Sequence, residues 1–508
     1  MKLKELMAAL ETADLSGDPE VEFVSVEYDS RKVTPGALFA AVQGLALDGR
    51  RFIAAAVKSG AAAVLTDSPL AEDPRVPVIT MPDARAGMAL AAAALYGYPS
   101  RRLTMIGLTG TNGKTTTCYL LESILAAARY APGLLGTVSV RYQGRERPSS
   151  LTTPEGPDLQ KSLFEMLQAG VTHVVMEVAS HALALRRVAG CRFDVGLFTN
   201  LTQDHLDFHG DLASYFEAKK LLFTDYLSGD HLPGGPKAVI NLDDEWGRRL
   251  AAVLGSGAIT YALQNEAEVR AVSVKSDRSG LRAVLNTPAG EFEVQSRLIG
   301  ELNLYNLLAA TAVSLALGLD PEVIAQGVAA MRGVPGRLER VGRSDDYLVL
   351  VDYAHTPDAL SRVLQAVRHL QPKRLLTVFG GGGDRDNTKR PIMGRAAGEL
   401  SDLAIVTSDN PRTEDPLSII RQIEAGLSPL NLVRYAPEKI NGSFRSGGYV
   451  IQPDRRSAIR LACRLLAPGD ILVVAGKGHE DYQILGREKI HFDDREEAWA
   501  ALVREGKS

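Results

Sequence analysis

Cysteine is nearly absent. Cys118, Cys191 and Cys463 are the only three in the chain, odd in number and far apart, which excludes a disulfide framework and a zinc knuckle and points to a reducing cytoplasm. No apolar run approaches a membrane span. The N-terminal MKLKELMAALETADLS places apolar residues at helical spacing but breaks them with charge, so it lacks the core of a signal peptide, and no membrane insertion is expected. Charge of one sign is not in excess either. With 57 basic against 61 acidic residues the net charge of -4 gives no basis for nucleic-acid or anionic-membrane binding, so an anionic ligand must meet local positive charge. What is present is an ordinary globular composition, 45% hydrophobic and 23% charged, which excludes disorder. A chain of 508 residues exceeds what one hydrophobic core supports, so two to four domains are expected.

Three segments follow one another. From Val21 to Gly97, the β-rich runs VEFVSVEYDS, ALFAAV, AAAVLTD and VPVITM alternate with helical RRFIAAAVKSG and DARAGMALAAAALYG, the pattern of a small α/β domain. After YGYPSRR, the strand LTMIGLT runs into TGTNGKTTT and then a helix with an apolar stripe of Leu120, Leu121, Ile124, Leu125 and Ala128. From Arg337 onward, LVLVDYA, RLLTVFG, LAIVTSDN and DILVVAGKG read as buried strands between amphipathic helices. That alternation predicts a mostly parallel, doubly wound sheet with sites at the strand C-termini.

Gly110-Thr111-Asn112-Gly113-Lys114-Thr115 follows a strand and opens a helix, the setting a phosphate loop requires. Lys114 supplies mobile positive charge to β- and γ-phosphates, the Thr115 hydroxyl suits magnesium, and the helix N-terminus adds a favourable dipole. The usual pattern has glycine at position 108, where this chain has Leu108. Glu177, at the end of the apolar strand in VTHVVMEVASH, emerges at the same edge and suits magnesium as well. Downstream, DVGLFTNLTQDHLDFHG carries Asp204, His205, Asp207 and His209 in a loop. Their spacing is not that of zinc proteins, and the histidines read equally as loop hydrogen-bonders or ligands. Lys219, in FEAKKLLF, reads on spacing alone as a solvated helix residue.

Taken together these residues resemble the Mur ligase family, from Asp29 to Gln483. DSRKVTPGALFAAVQGLALDGRRF is similar to its UDP-binding domain, GTNGKTT to its ATP loop, LTTPEG to its muramoyl-peptide loop and TNLTQDHLDFHG to its metal-binding stretch. EAKKLLF resembles the segment whose first lysine is carbamylated, LNLYNLLAA the asparagine-rich ATP contact, and VDYAHTPDAL the ribose-contacting strand. The resemblance implies an α/β fold in three domains. These are an N-terminal UDP-binding α/β domain over 1–99, a central P-loop ATPase domain with a parallel sheet over 100–335, and a C-terminal Rossmann-like amino-acid-binding domain over 336–508.

The same resemblance implies site residues. ATP falls to Gly110, Thr111, Asn112, Gly113, Lys114, Thr115, Thr116, Asn306, Arg337 and Asp352. The UDP-linked muramoyl dipeptide falls to Ser30, Arg31, Thr152, Thr153, Ser180 and Arg187. Magnesium falls to Thr115, Glu177, His205 and carbamylated Lys219, and Lys114, Glu177, His205 and Lys219 are the catalytic set. Carbamylation needs a neutral amine, and the adjacent cation Lys220 is expected to favour loss of the proton. GGDRDNTKRPIMG, DNPRTEDP and GKGHEDYQ are similar to motifs of the family members that add the third residue of the peptide, and DNPR to the form associated with meso-diaminopimelate. Arg385, Asp409, Asn410, Pro411, Arg412, Gly476 and Glu480 are implied to bind that amino acid. The two arginines pair with its distal carboxylate, and Asp409, Asn410 and Glu480 accept from its distal ammonium. Where relatives carry two serines after Glu-Val, this chain has Ala179 before Ser180, so one hydrogen bond to the muramoyl peptide is expected to be missing.

The expected activity is therefore ATP-dependent addition of meso-diaminopimelate to UDP-N-acetylmuramoyl-L-alanyl-D-glutamate by a cytoplasmic monomer. An L-lysine-adding ligase is the nearest alternative. A folylpolyglutamate synthase shares the ligase core, but is expected to lack a domain of about 100 residues before the phosphate loop. A nucleotide-driven switch, from a different class, would hydrolyse ATP without either ligation substrate.

Overall fold

The computed structural model describes every residue except 45, 46, 343, 345, 443, 445, 446 and 508. Leu45 and Ala46, inside the QGLALDG part of the first motif, thus lie outside the described residues. The chain forms two compact units, one of residues 1–271, 286–292 and 307–327, the other of 272–285, 293–306 and 328–508.

In the first unit, a five-stranded sheet has the spatial order Asp14–Ser16, Val78–Thr80, Ala63–Thr66, Ala37–Ala41, Ser25–Glu27. Its first pair is antiparallel and the rest are parallel. Ala37–Ala41 is buried throughout because side chains alternate between two covered faces. Leu38 and Ala40 join the cluster of Leu6, Phe23 and Met88, while Phe39 joins Ile53, Ala56 and Val64. The helix Ala84–Leu95 starts where Asp83 accepts the Ala86 N–H at 2.9 Å. It packs closely on the helix Gly156–Gln168, where a Cβ on Gly156 would stand 2.5 Å from the Ala89 methyl.

The same unit holds a parallel array centred on Thr104–Thr109. Val195–Phe198, Lys237–Asn241 and Ile259–Ala262 lie to one side, and His173–Glu177 and Pro132–Leu135 to the other. Parallel pairing brings the C-terminal ends of Thr104–Thr109, His173–Glu177 and Val195–Phe198 to one edge, where an α/β sheet offers its loops to ligands. The helix Lys114–Ala127 buries Leu120, Leu121, Ile124 and Leu125 as the stripe predicts, and Ala128 is its C-cap.

The second unit carries a seven-stranded sheet in the order Glu339–Val341, Leu348–Asp352, Ile471–Ala475, Leu375–Phe379, Leu403–Val406, Gly448–Ile451, Val433–Tyr435. Only its first pair is antiparallel among the described pairings. Leu348 and Leu350 face one core, Val349 and Val351 the other, so the apolar runs reflect two covered faces. The loops after Asp352, Phe379, Val406 and Ala475 share one edge. Among the described residues, no helix is long and apolar enough to cross a membrane.

Candidate functional site

The position where the common phosphate-loop pattern has its first glycine lies inside the strand Thr104–Thr109. Leu108 is fully buried and pairs with Glu177 and Leu197 inside the sheet, so the missing glycine falls on a strand position. The turn begins at Gly110, with φ 141°, where a Cβ would lie 1.9 Å from Thr199 Oγ1, and ends at Gly113, with φ 90°. Residues that the motif does not contain hold it. The Thr111 N–H donates to the Asn200 carbonyl at 2.8 Å, the Asn112 N–H to Asn200 Oδ1 at 3.0 Å, and Thr199 Oγ1 to the Asn112 carbonyl at 2.7 Å.

Two lysines converge on this loop. Lys114 Nζ donates to the carbonyls of Gly110 at 2.9 Å and Thr111 at 3.0 Å, and Lys219 Nζ donates to the same Gly110 oxygen at 2.8 Å. Lys219 is 1% exposed, so the solvated reading of its helix position is corrected: the helix Leu212–Leu221 turns this side chain inward, over the Tyr215 ring at 4.3 Å. Its pKa falls well below the ordinary lysine value, first through burial and then through Lys114. The expected influence of Lys220 is also corrected, since that ammonium pairs with Glu217 on the more solvated side of the helix.

Beside the lysines, Thr115 Oγ1 donates to Glu177 Oε1 at 3.0 Å. Glu177 is 1% exposed and also accepts from the Thr137 N–H at 2.8 Å and from Thr137 Oγ1 at 3.1 Å. Thr137 was not legible as a partner because it comes from a distant turn. His205, in the left-handed region at φ 54°, lies with its ring 4.7 Å from that of His181, and His209 meets Ser180 Oγ at 2.9 Å. Burial, reinforced by His205 and His209, lowers the His181 pKa to about 4. Among the described residues, no three or more His, Cys, Asp or Glu side chains form a metal-holding group. The nearest approach to an ion site is the hydroxyl–carboxylate pair of Thr115 and Glu177, whose oxygens are the hard donors that magnesium takes.

The residues implied for the muramoyl peptide divide into two places. Thr153 is buried, donates to the Glu177 carbonyl at 2.8 Å and accepts from the Ala179 N–H at 2.9 Å, and Thr152 meets the Thr137 hydroxyl at 3.1 Å. Ala179 caps the helix Ser180–Ala184 without a side-chain hydrogen bond. Arg187 pairs with Glu155 at 2.8 Å, and Glu155 also lies 3.6 Å from Arg85, which donates to the Gln43 carbonyl at 2.8 Å. Ser30 and Arg31 stand apart in a short turn capped by Asp29, whose carboxyl Arg31 holds down at about 2.

In the second unit, Asp352 ends a strand and accepts the N–H groups of Leu338 at 2.7 Å and Ala354 at 2.9 Å. Burial raises its pKa, against the pull of Arg337, whose guanidinium lies 4.8 Å from the Tyr353 ring. Asn306 donates to Asn303 Oδ1 at 3.0 Å.

The three amino-acid motifs are stitched together at the sheet edge. Arg412, at φ 50°, donates through Nη1 to the Gly383 carbonyl at 2.6 Å and through its N–H to the Ile484 carbonyl at 3.1 Å. Asn410 Nδ2 donates to Glu480 Oε2 at 3.0 Å. A Cβ on Gly476 would meet Asp409 Oδ2 at 2.4 Å, and one on Gly383 would meet the Pro411 carbonyl at 1.8 Å. Arg385 is exposed. Arg390, missed by sequence reading, is 2% exposed and pairs with Glu414 at 2.8 Å while donating to the Gly382 carbonyl at 2.8 Å.

Comparison with known proteins covers nearly the whole chain. Residues 22–98 match the catalytic domain of the Mur ligase family, 108–314 the Mur ligase middle domain, and 336–478 the Mur ligase glutamate ligase domain. A Geobacter metallireducens protein named UDP-N-acetylmuramoyl-L-alanyl-D-glutamate--2,6-diaminopimelate ligase is 48% identical over 502 residues, covering 99% of this chain and 98% of its own. A Gloeobacter violaceus protein of the same name is 48% identical over 510 residues, with 99% and 98% covered. A solved structure of a ligase with that name matches at TM-score 0.70 and 32% identity, covering 100% of this chain and 99% of its own.

Proposed function

The chain belongs to the Mur ligase family, and from that premise we propose that it uses ATP to add meso-diaminopimelate to UDP-N-acetylmuramoyl-L-alanyl-D-glutamate in peptidoglycan precursor synthesis. The observation that carries the reading is the meeting of Lys114 and Lys219 on the Gly110 carbonyl beside the Thr115–Glu177 pair. A substrate carboxylate attacks the γ-phosphorus, ADP leaves, and the amine of the incoming amino acid displaces phosphate from the acyl phosphate to form the amide. Two anions must approach each other, so concentrated positive charge is the principal requirement, and Lys114 supplies it. Thr115 and Glu177 would hold magnesium, with His205 and carbamylated Lys219 completing the set. Such an ion would supply electrostatic screening of the reacting anions. Neutral Lys219 can add its nitrogen to carbon dioxide and release a proton, gaining a carboxylate at its end.

Gly110 to Thr116 are assigned to the phosphates, and Asn306, Arg337 and Asp352 to the rest of the nucleotide. Ser30, Arg31, Thr152, Thr153, Ser180 and Arg187 are assigned to the UDP-dipeptide. Arg385, Arg412, Asp409, Asn410, Pro411, Gly476 and Glu480 are assigned to the amino acid. Domains are assigned to 1–99, 100–335 and 336–508. The five-stranded sheet ahead of the phosphate loop argues against a folylpolyglutamate synthase. The protein is proposed to act as a cytoplasmic monomer. The test is ADP release, which is expected only when UDP-dipeptide and amino acid are both present. Release with neither would replace the ligase by a nucleotide switch.

A further inference from the structure

The second unit contains a cation that none of the assignments above uses. Lys477 is the second residue of the loop that follows the strand Ile471–Ala475, and its side chain is 0% exposed. Its ammonium donates to Asn410 Oδ1 at 3.3 Å and to Glu480 Oε2 at 3.2 Å. Asn410 Nδ2 donates to that same Glu480 oxygen at 3.0 Å, and Asn410 Oδ1 also accepts from the Ile484 N–H at 3.0 Å. The Tyr482 ring lies 5.3 Å from the ammonium. Gln483 Nε2 donates to the Asp409 carbonyl at 2.7 Å, tying the same two segments together.

This triangle has a consequence for two side chains at once. An asparagine amide presents a donor at one end and an acceptor at the other, and a flip exchanges them. Here the oxygen faces two donors and the nitrogen faces a carboxylate, so one orientation satisfies every partner and the flipped one satisfies none. The Glu480 oxygen is likewise held by an ammonium and an amide together. A buried ammonium demands a counter-charge, and Glu480 supplies it, so neither group can turn away without leaving the other uncompensated.

We propose that Lys477 is a positioning residue for amino-acid recognition. From within the loop it fixes the orientation of the Asn410 amide, whose Nδ2 in turn holds the Glu480 carboxylate, and so sets the direction of the carboxylate assigned to the distal ammonium. The inference rests on the amino-acid site proposed above. Without Lys477, the amide is released to either orientation and the carboxylate to several, and an ordered carboxylate acceptor for the substrate ammonium is lost.

The test compares steady-state kinetics of the full-length parent, Lys477→Met, Glu480→Gln and the double variant. In Lys477→Met the KM for meso-diaminopimelate is expected to rise about tenfold or more. KM for ATP and for UDP-dipeptide should stay within about twofold, a split that general loosening of the fold would not produce. In the double variant the two effects should fall short of multiplying, because Lys477 acts through Glu480. If Lys477→Met does not fold, Lys477→Gln keeps an N–H donor without charge, and the same selective rise is expected. An unchanged KM for meso-diaminopimelate, equal rises for all three substrates, or fully multiplicative effects would overturn the role of Lys477 while the site stands. A parent that does not turn over meso-diaminopimelate would instead remove the site, and this inference with it.

Discussion

Burial separates Lys219 from the chain's surface lysines. Taken out of water and placed beside Lys114, it sheds its proton readily, and a neutral amine is what carbamylation requires. Lys219→Ala should lose most activity and regain part of it in acetate, whose carboxylate can occupy the vacated position. Full activity without acetate would remove the role. Gly110→Ala tests the loop at the same scale. Its Cβ would overlap Thr199 Oγ1 at a φ that side chains rarely adopt, so ATP affinity, measured by calorimetry, should drop sharply. Acid sensitivity follows from His181, held at about 4 against 6.5 for an ordinary histidine. Between those values the unfolded chain takes up a proton that the folded chain refuses, so stability falls as pH drops through that window. The difference in Tm between parent and His181→Gln should change with pH inside that window and stay constant above it. The motif spacing made Lys114, Thr115 and Glu177 legible, because a phosphate loop announces itself locally. It could not reveal the depth of Lys219, or the partnership of Thr137 with Glu177, since both depend on elements remote in sequence.

At the scale of elements, apolar runs were readable because a strand covered on both faces has no solvent side to record. The inner strands Leu348–Asp352, Leu375–Phe379, Leu403–Val406 and Ile471–Ala475 all fall where LVLVDYA, RLLTVFG, LAIVTSDN and DILVVAGKG stand. Strands such as Asp14–Ser16 and Val433–Tyr435 were not legible, being short, polar and set at sheet edges. Buried ion pairs were equally hidden. Arg455 and Asp494, both 0% exposed, join the helices Arg455–Leu465 and Asp494–Arg504 at 2.6 Å. Asp494→Asn leaves a guanidinium uncompensated in the interior, and destabilisation of about 3–5 kcal/mol is expected. Replacing both partners, as Arg455→Met with Asp494→Leu, should recover much of that loss in denaturant melts. Equal stability of Asp494→Asn and parent would show that the pair contributes nothing.

For the whole molecule, the question is why three different substrates should be required together. The answer offered is chemical: a carboxylate is activated by one substrate and captured by another, and the two motif groups, one in each unit, divide those tasks. In the proposed reading, specificity belongs to the second group. Lysine lacks a distal carboxylate, so its binding leaves Arg412 without the charge partner proposed for it. Arg412 is only partly buried and keeps its bond to the Gly383 carbonyl, so the loss falls below the about 3–5 kcal/mol of a fully buried charge, and a preference of roughly tenfold to a hundredfold is expected. The most direct measurement is mass spectrometry of the product formed from ATP, UDP-dipeptide and an equimolar mixture of meso-diaminopimelate and lysine, with parent and Arg412→Ala side by side. The account predicts that the parent yields almost solely the UDP-tripeptide carrying diaminopimelate, and that Arg412→Ala loses most of that preference. Equal incorporation of both amino acids by the parent, or a product carrying lysine alone, would contradict it.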